Sequence, residues 1–236
     1  MIIDYKKYIG ESMQNVVDRF KKEYNLNKNE KVAFAGRLDP IAYGMVRLLS
    51  GEDRKSMDLM CSHDKIYSFD VIEGFNTDTY DILGLVTKIC EFKENIFDME
   101  KVIEQEYPIY SSKTVDINGR MVRLWDAAKN NMLENIKIPT KDVKIYYVKK
   151  LGVNIVSLKE LYIMIENIVN KVEGDFRQKE ILDKWKEVLI YGKNNNSDEV
   201  KINHYITKIS SGGYVRSIAH NMGGVAMNIC RIKYID

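Results

Sequence analysis

The 236-residue chain is poor in the side chains that build metal and redox centres. Its three cysteines, Cys61, Cys90 and Cys230, are scattered, odd in number and form no C-x-x-C pair. Its three histidines, His63, His204 and His220, share no ligand spacing. These absences argue against a disulfide framework and a structural zinc, and predict reduced thiols. No apolar run approaches the length that a bilayer span needs, so no membrane association is expected. The opening Met-Ile-Ile-Asp-Tyr-Lys-Lys lacks the apolar core and cleavage site of a signal peptide, which points to a cytoplasmic protein. Neither sign of charge dominates: the formal net charge is +2. Composition therefore neither demands nor excludes nucleic acid, because affinity follows local basic surface. No repeat or low-complexity segment is present.

What is there suffices for a sizeable core. Hydrophobic residues make up 45% of the chain, and the length fits one large domain or two small ones. Met13, Val16, Val17, Phe20 and Tyr24 fall on one face of a helix over 12–24, with Ser12 as its cap. Tyr67, Phe69 and Val71 alternate with Ser68 and Asp70, so 65–73 reads as a strand. A polar turn at 77–81 precedes a second strand over about 84–90. Residues 97–106 read as a short helix, and strands are expected at 134–139 and 142–149. Leu158, Leu161, Tyr162, Ile165 and Val169 then form a helical stripe. Phe176, Ile181, Trp185 and Val188 suggest a second helix after Gly174. Lys193 to Asp198 reads as a loop. A strand at 201–209 leads through Ser210-Ser211-Gly212-Gly213 to a short helix from Tyr214, and the tail from Ile229 to Ile235 is strand-like. This order predicts an α+β fold with a mixed, mainly antiparallel sheet and flanking helices.

One decamer stands out: Ala35-Gly36-Arg37-Leu38-Asp39-Pro40-Ile41-Ala42-Tyr43-Gly44. Pro40 pushes Asp39 out of helical geometry and itself suits the first position of a helix. Ile41, Met45, Leu48 and Leu49 repeat at helical spacing, and Gly51 offers a stop. Asp39 is thus expected at the mouth of a helix. A carboxylate shown there is either a nucleophile or an ordinary N-cap. Gly36 and Gly44 flank it, which suggests that another chain or a ligand approaches this backbone closely.

Gly36, Leu38, Asp39, Pro40, Ala42 and Gly44 resemble, in register, the G-x-L-D-P-x-A-x-G signature of the TruB family of pseudouridine synthases. Lys65-Ile66-Tyr67 resembles that family's K-x-Y segment. Asn76 to Gly84 resembles its T-x-D-x-x-D-x-x-G segment. Ser210 to Ser217 resembles its S-x-G-[TS]-Y-[IV]-R segment, with Gly213 in place of the hydroxyl residue. Pro108, Tyr110 and Ser111 match its P-P-x-[YF]-S-A-x-K segment, and Lys7-x-x-Gly10-x-Ser12 matches its opening segment weakly.

The resemblance covers most of 7–150 and again 201–236. It implies a pseudouridine synthase fold and isomerisation of a uridine in RNA, most naturally the T-loop uridine of tRNA. In family terms Asp39 is the catalytic carboxylate, Tyr67 lies against the target base, and Arg216 pairs with Asp39. An opposing guanidinium keeps a carboxylate ionised and fixes its orientation. Tyrosine provides a stacking plane for a base taken out of its stack. Phe34, Arg37, Lys65, Lys113, Arg120 and Tyr214 are the candidates for RNA contact, with Arg123 beside them. Neither a metal nor an organic cofactor is implied.

Three departures bear on target choice: Phe34 stands for a histidine, and Arg37 and Tyr43 each for a threonine. The chain reads as a single catalytic domain over 1–236, acting as a monomer. A helical insertion is expected at about 151–200, packed on the sheet or extending the RNA surface, and no C-terminal PUA domain is expected. The alternatives are an RNA-binding or tRNA-folding protein without catalysis, and pseudouridylation of another RNA.

Overall fold

The computed structural model describes residues 1–134, 136–194 and 198–236, with side chains at 88–89 and 191–194 left aside. An eight-stranded sheet forms its centre. Seven strands run in the order β1 (Ile2–Lys7), β3 (Tyr43–Ser50), β12 (Gly224–Ile235), β4 (Asp64–Glu73), β11 (Glu199–Ile209), β10 (Thr140–Ser157) and β7 (Lys101–Glu106). The eighth, β2 (Val32–Ala35), pairs with β3. Every pairing is antiparallel except β12 with β3. Two small hairpins stand apart: β5 (Phe75–Thr77) with β6 (Val86–Ile89), and β8 (Thr114–Ile117) with β9 (Arg120–Arg123).

Helices cover both faces. On one, α1 (Met13–Glu23) and α6 (Val215–Asn221) meet Tyr67, Phe69, Val71 and Tyr205 in the largest apolar cluster. On the other, α4 (Leu158–Val169) and α5 (Gln178–Asn194) press Leu161, Ile165, Ile181 and Trp185 onto Ile72, Ile202, Val225 and Met227. Local signals start these helices. The Ser12 hydroxyl accepts from the Asn15 amide at 3.1 Å, and Ser157 and Glu160 form a reciprocal capping box at α4. The helices of 151–200 therefore pack on the sheet. A short α2 (Met57–Ser62) precedes β4, and a short α3 (Leu124–Lys129) follows the β8–β9 hairpin and closes a satellite cluster with Val115 and Ile117.

The largest correction falls on the decamer. The expected helix after Asp39 is strand β3, and Asp39 caps nothing. Residues 46–50 are buried without a break. A strand covered on both faces reads as a continuous apolar run, which periodicity cannot separate from a buried helix. Other corrections are smaller. Residues 101–106 form edge strand β7, paired to β10, in place of a helix over 97–106. Cross-strand pairing overrides the weak strand preference of its lysine and glutamates. Among the described residues no strand covers 134–139. Pro139 has no N–H for a ladder, and Ile136 and Ile138 pack on the satellite cluster. Tyr24 is an exposed C-cap rather than a buried member of the α1 face, and the exposed Phe176 precedes α5. Helix α5 runs on to Asn194, into the expected loop, of which 195–197 lie outside the described residues.

Candidate active site

A strand has two edges. β1 takes one edge of β3 along its length, so β2 and β12 share the other. β2 pairs with Arg47 to Ser50, and β12 pairs with Tyr43 and Gly44. The segment 36–42 therefore leaves the sheet where one neighbour replaces the other. Gly44 marks the junction. Its φ is +103°, and a Cβ there would lie 2.2 Å from the Arg231 carbonyl oxygen, so only glycine lets β12 come this close. The close approach expected at Gly44 is thus made by a strand of the same chain.

Two buried cations hold this segment. Lys7 Nζ donates to the carbonyls of Tyr8, Pro40 and Ala42 at 3.1, 3.0 and 2.7 Å. Burial pushes its pKa down to about 8, against the pull of Glu11 and Asp39. Arg231 donates to the carbonyls of Gly36 and Arg37 at 3.0 and 2.9 Å. The Gly10 amide adds a bond to the Pro40 carbonyl at 2.9 Å. Asp39 itself closes a turn through its carbonyl, which accepts from the Ala42 amide at 3.0 Å.

The turn edges a pocket of about 250 Å³ lined by Asp39, Tyr67, Tyr214, Arg216, Arg37 and Lys65, with Ser210 to Gly213 on its rim. Arg216 arrives from the first turn of α6 and is 3% exposed, whereas the Asp39 carboxylate is 33% exposed. Arg216 Nη2 donates to Asp39 Oδ1 at 3.3 Å, and Nε lies 3.1 Å from Oδ2 as an ion-pair contact. Nη1 donates to the Thr79 carbonyl and Nη2 also to the Tyr110 carbonyl, both at 3.0 Å. The fork is fixed by backbone on one side and presents its charge to Asp39 on the other. A Cβ at Gly213 would come 2.3 Å from Ile209 Cδ1 and 2.7 Å from Val143 Cγ1, so the family's hydroxyl residue would fit only if those side chains shifted.

A second carboxylate stands behind the arginine. Asp81 is fully buried, and its pKa is pushed up to about 6 by that burial and by Asp39, against the pull of Arg216. Its Oδ1 accepts from the Thr79 hydroxyl at 2.6 Å and the Leu83 amide at 3.0 Å. Burial opposes the charge on Arg216, and Asp39 and Asp81 restore it.

The structure brings Asp39, Tyr67, Arg216, Tyr214, Arg37 and Lys65 to one pocket. Tyr67 belongs to the core and to the pocket at once. Lys65 is buried, with Nζ donating to the carbonyls of Cys61 and His63 at 2.7 and 2.6 Å. Phe34, Lys113 and Arg120 do not line the pocket. Phe34 sits half-buried on β2, with the exposed Arg37 guanidinium 5.5 Å from its ring centre. Lys113 and Arg120 lie exposed at the β8–β9 hairpin. Sequence reading missed Asp81 and Arg231. In the sequence Asp81 reads only as part of the polar turn at 77–81. Arg231 follows Ile229 by two residues on a strand, which puts it on the same inward face; that spacing was the available signal.

Among the described residues no group of three or more His, Cys, Asp and Glu side chains is placed to hold a metal. No helix among them is long and apolar enough to cross a membrane. What the pocket offers is a half-open carboxylate, oriented by a buried guanidinium, beside an aromatic ring with a hydroxyl.

The fold has solved counterparts. One is a crystal structure of a Cbf5–Nop10–Gar1 complex, with a TM-score of 0.52 and 16% identity over 99% of this chain and 48% of that one. The α+β architecture is thus the pseudouridine synthase fold. The family model described as "TruB family pseudouridylate synthase (N terminal domain)" matches residues 21–179. The chain belongs to the TruB family. That match takes in α4, part of the stretch read from sequence as an insertion. The tRNA pseudouridine synthase B of Clostridioides difficile (strain 630) is 31% identical over 160 residues, which is 64% of this chain and 51% of that protein. The protein of the same name from Fusobacterium nucleatum is 30% identical over 177 residues, 72% of this chain and 57% of its own length. The chain thus spans about half the length of the curated relatives it matches.

Proposed function

We propose that this protein isomerises a uridine in RNA to pseudouridine, with Asp39 as the catalytic carboxylate. The observation that carries the reading is the Asp39–Arg216 pair at the mouth of a pocket floored by Tyr67, in a member of this family. Arg216 pairs with the Asp39 carboxylate and aims it, as attack on the ribose or assistance to glycosidic cleavage requires. Tyr67 offers a face and a hydroxyl to a uracil turned out of its stack. The freed base then rejoins through carbon. The product is an isomer of the substrate, so the reaction consumes no co-reactant.

The target we propose is the T-loop uridine of tRNA, since the relatives above are named for tRNA. Recognition then rests on the shape of a folded arm and on flipped bases. Lys113, Arg120 and Arg37 are exposed cations placed to meet its phosphates. The protein acts as a monomer in the cytoplasm. Mapping pseudouridines in total cellular RNA, with and without the protein, tests activity and target together. The expected result is one added site in the T-arms of tRNA. No added site anywhere, with T-arm binding intact, would point to an RNA-binding role instead.

A further inference from the structure

Among the charged side chains that line the pocket, Arg231 is the most enclosed that the mechanism above leaves unused. Its side chain is 3% exposed, and among the described residues no carboxylate lies within ion-pair distance of it. Its guanidinium stays charged, so the charge must be neutralised by dipoles. Every dipole it uses belongs to the site or to its scaffold. Nε donates to the Tyr67 hydroxyl at 2.9 Å. Nη1 donates to the Gly36 carbonyl at 3.0 Å, to the Tyr234 hydroxyl at 2.8 Å and, at 3.5 Å, to the Met45 carbonyl on β3, and Nη2 donates to the Arg37 carbonyl at 2.9 Å. The Tyr234 hydroxyl in turn donates to the Ala35 carbonyl at 2.7 Å.

Main chain and side chain of this residue grip opposite ends of one segment. The Arg231 backbone pairs with Gly44, at the end of the Asp39 turn. Its side chain returns to Gly36 and Arg37, at the beginning of the turn. The same fork decides the polarity of Tyr67. A guanidinium only donates, so the Tyr67 oxygen accepts from it, and the phenolic proton must point elsewhere. Among the described residues no protein acceptor takes that proton, and Tyr67 lines the pocket.

We propose that Arg231 is a positioning residue, a clasp that fixes the Asp39 turn at both ends and aims the Tyr67 hydroxyl as a donor into the pocket. This rests on the reading that Asp39 carries the chemistry. A misplacement of about 1 Å in such a turn is enough to slow a reaction about 10²-fold.

The test uses single-turnover rate and RNA affinity on a T-arm stem-loop. The variants are Arg231→Lys, Tyr67→Phe, their combination, Tyr234→Phe and, as control, Asp39→Asn. Lysine keeps the charge and the stem but lacks the fork. The expected result is a rate about 10²-fold lower for Arg231→Lys with RNA affinity held within about twofold. The loss in the Tyr67→Phe background is smaller than in the parent, because the two share one hydrogen bond. Tyr234→Phe removes one acceptor of the clasp and shows a milder loss of the same kind. The proposal is overturned by a parental rate in Arg231→Lys, by a loss carried by affinity alone, or by effects of Arg231→Lys and Tyr67→Phe that simply multiply. Should Arg231→Lys fail to fold, Tyr234→Phe decides, and a parental rate there overturns the clasp. An inactive Asp39→Asn beside fully active clasp variants sinks this inference alone. A fully active Asp39→Asn sinks the inference and the reading beneath it.

Discussion

The Asp39 turn and the α4–α5 pair are held in place by different forces. Around the turn, three buried cations, Lys7, Arg216 and Arg231, donate to backbone carbonyls, two hydroxyls and a carboxylate. Such bonds have direction and set atomic positions, although burying the cations is costly. Beneath the helix pair, Leu161, Ile165, Ile181 and Trp185 simply leave water. Burial has no direction and stabilises roughly in proportion to area. The first region is built for position and the second for stability. Variants in the two regions should therefore fail in different ways.

The largest separation is expected at Arg216. Arg216→Ala leaves Asp39 without its guanidinium and frees the carbonyls of Thr79 and Tyr110. The rate of pseudouridine formation should fall at least about 10²-fold, measured per folded molecule under single-turnover conditions. Trp185→Ala should do the reverse. It removes a side chain that is 2% exposed at the centre of the α4–α5 cluster. Denaturant titration should show about 3–5 kcal/mol of lost stability, with the rate per folded molecule unchanged.

A subtler contrast lies in pH. Asp81 is ionised in the folded protein only above about pH 6, so its support of Arg216 fades below that value. The rate should decline as pH falls from 7 to 5, and Asp81→Asn should remove that inflection from the pH–rate profile. Stability moves the other way. The folded pKa lies above the ordinary 3.8, so the folded state binds this proton more readily than the unfolded chain. The cost of burying the charge is present above pH 6 and is relieved as pH falls from 6 towards 3.8. The smallest effects belong to the exposed cations. Lys113→Ala and Arg120→Ala should each weaken stem-loop binding modestly and lower the salt slope of affinity by about 1, with the rate of bound RNA unchanged.

The two regions also differed in how legible they were. Amphipathic stripes and caps announce α1 and α4, because a helix with one wet face carries its period in its own residues. Strand β4 was equally plain: it alternates because its two faces meet different surroundings. Strand β3 was not. Both of its faces are covered, so the run from Val46 to Ser50 has no strand period to read. The site divides in the same manner. The segments that carry Asp39, Tyr67 and Arg216, which the fold brings to one pocket, are legible in the sequence. Asp81 and Arg231 were missed because their roles depend on what the fold sets beside them: Arg216 for one, and the ends of a distant turn for the other. Gly44 allows the close approach that its flanking of Asp39 suggests, but from a strand and not from the expected helix.

The central claim is that Asp39 carries the chemistry while its surroundings only hold and aim it. The most direct measurement is pseudouridine formation by Asp39→Asn on a T-arm stem-loop, followed beside RNA binding. The amide keeps the shape of the side chain and removes its charge. The expected rate is lower by at least about 10⁴-fold with RNA binding largely intact. Parental activity in that variant would contradict it.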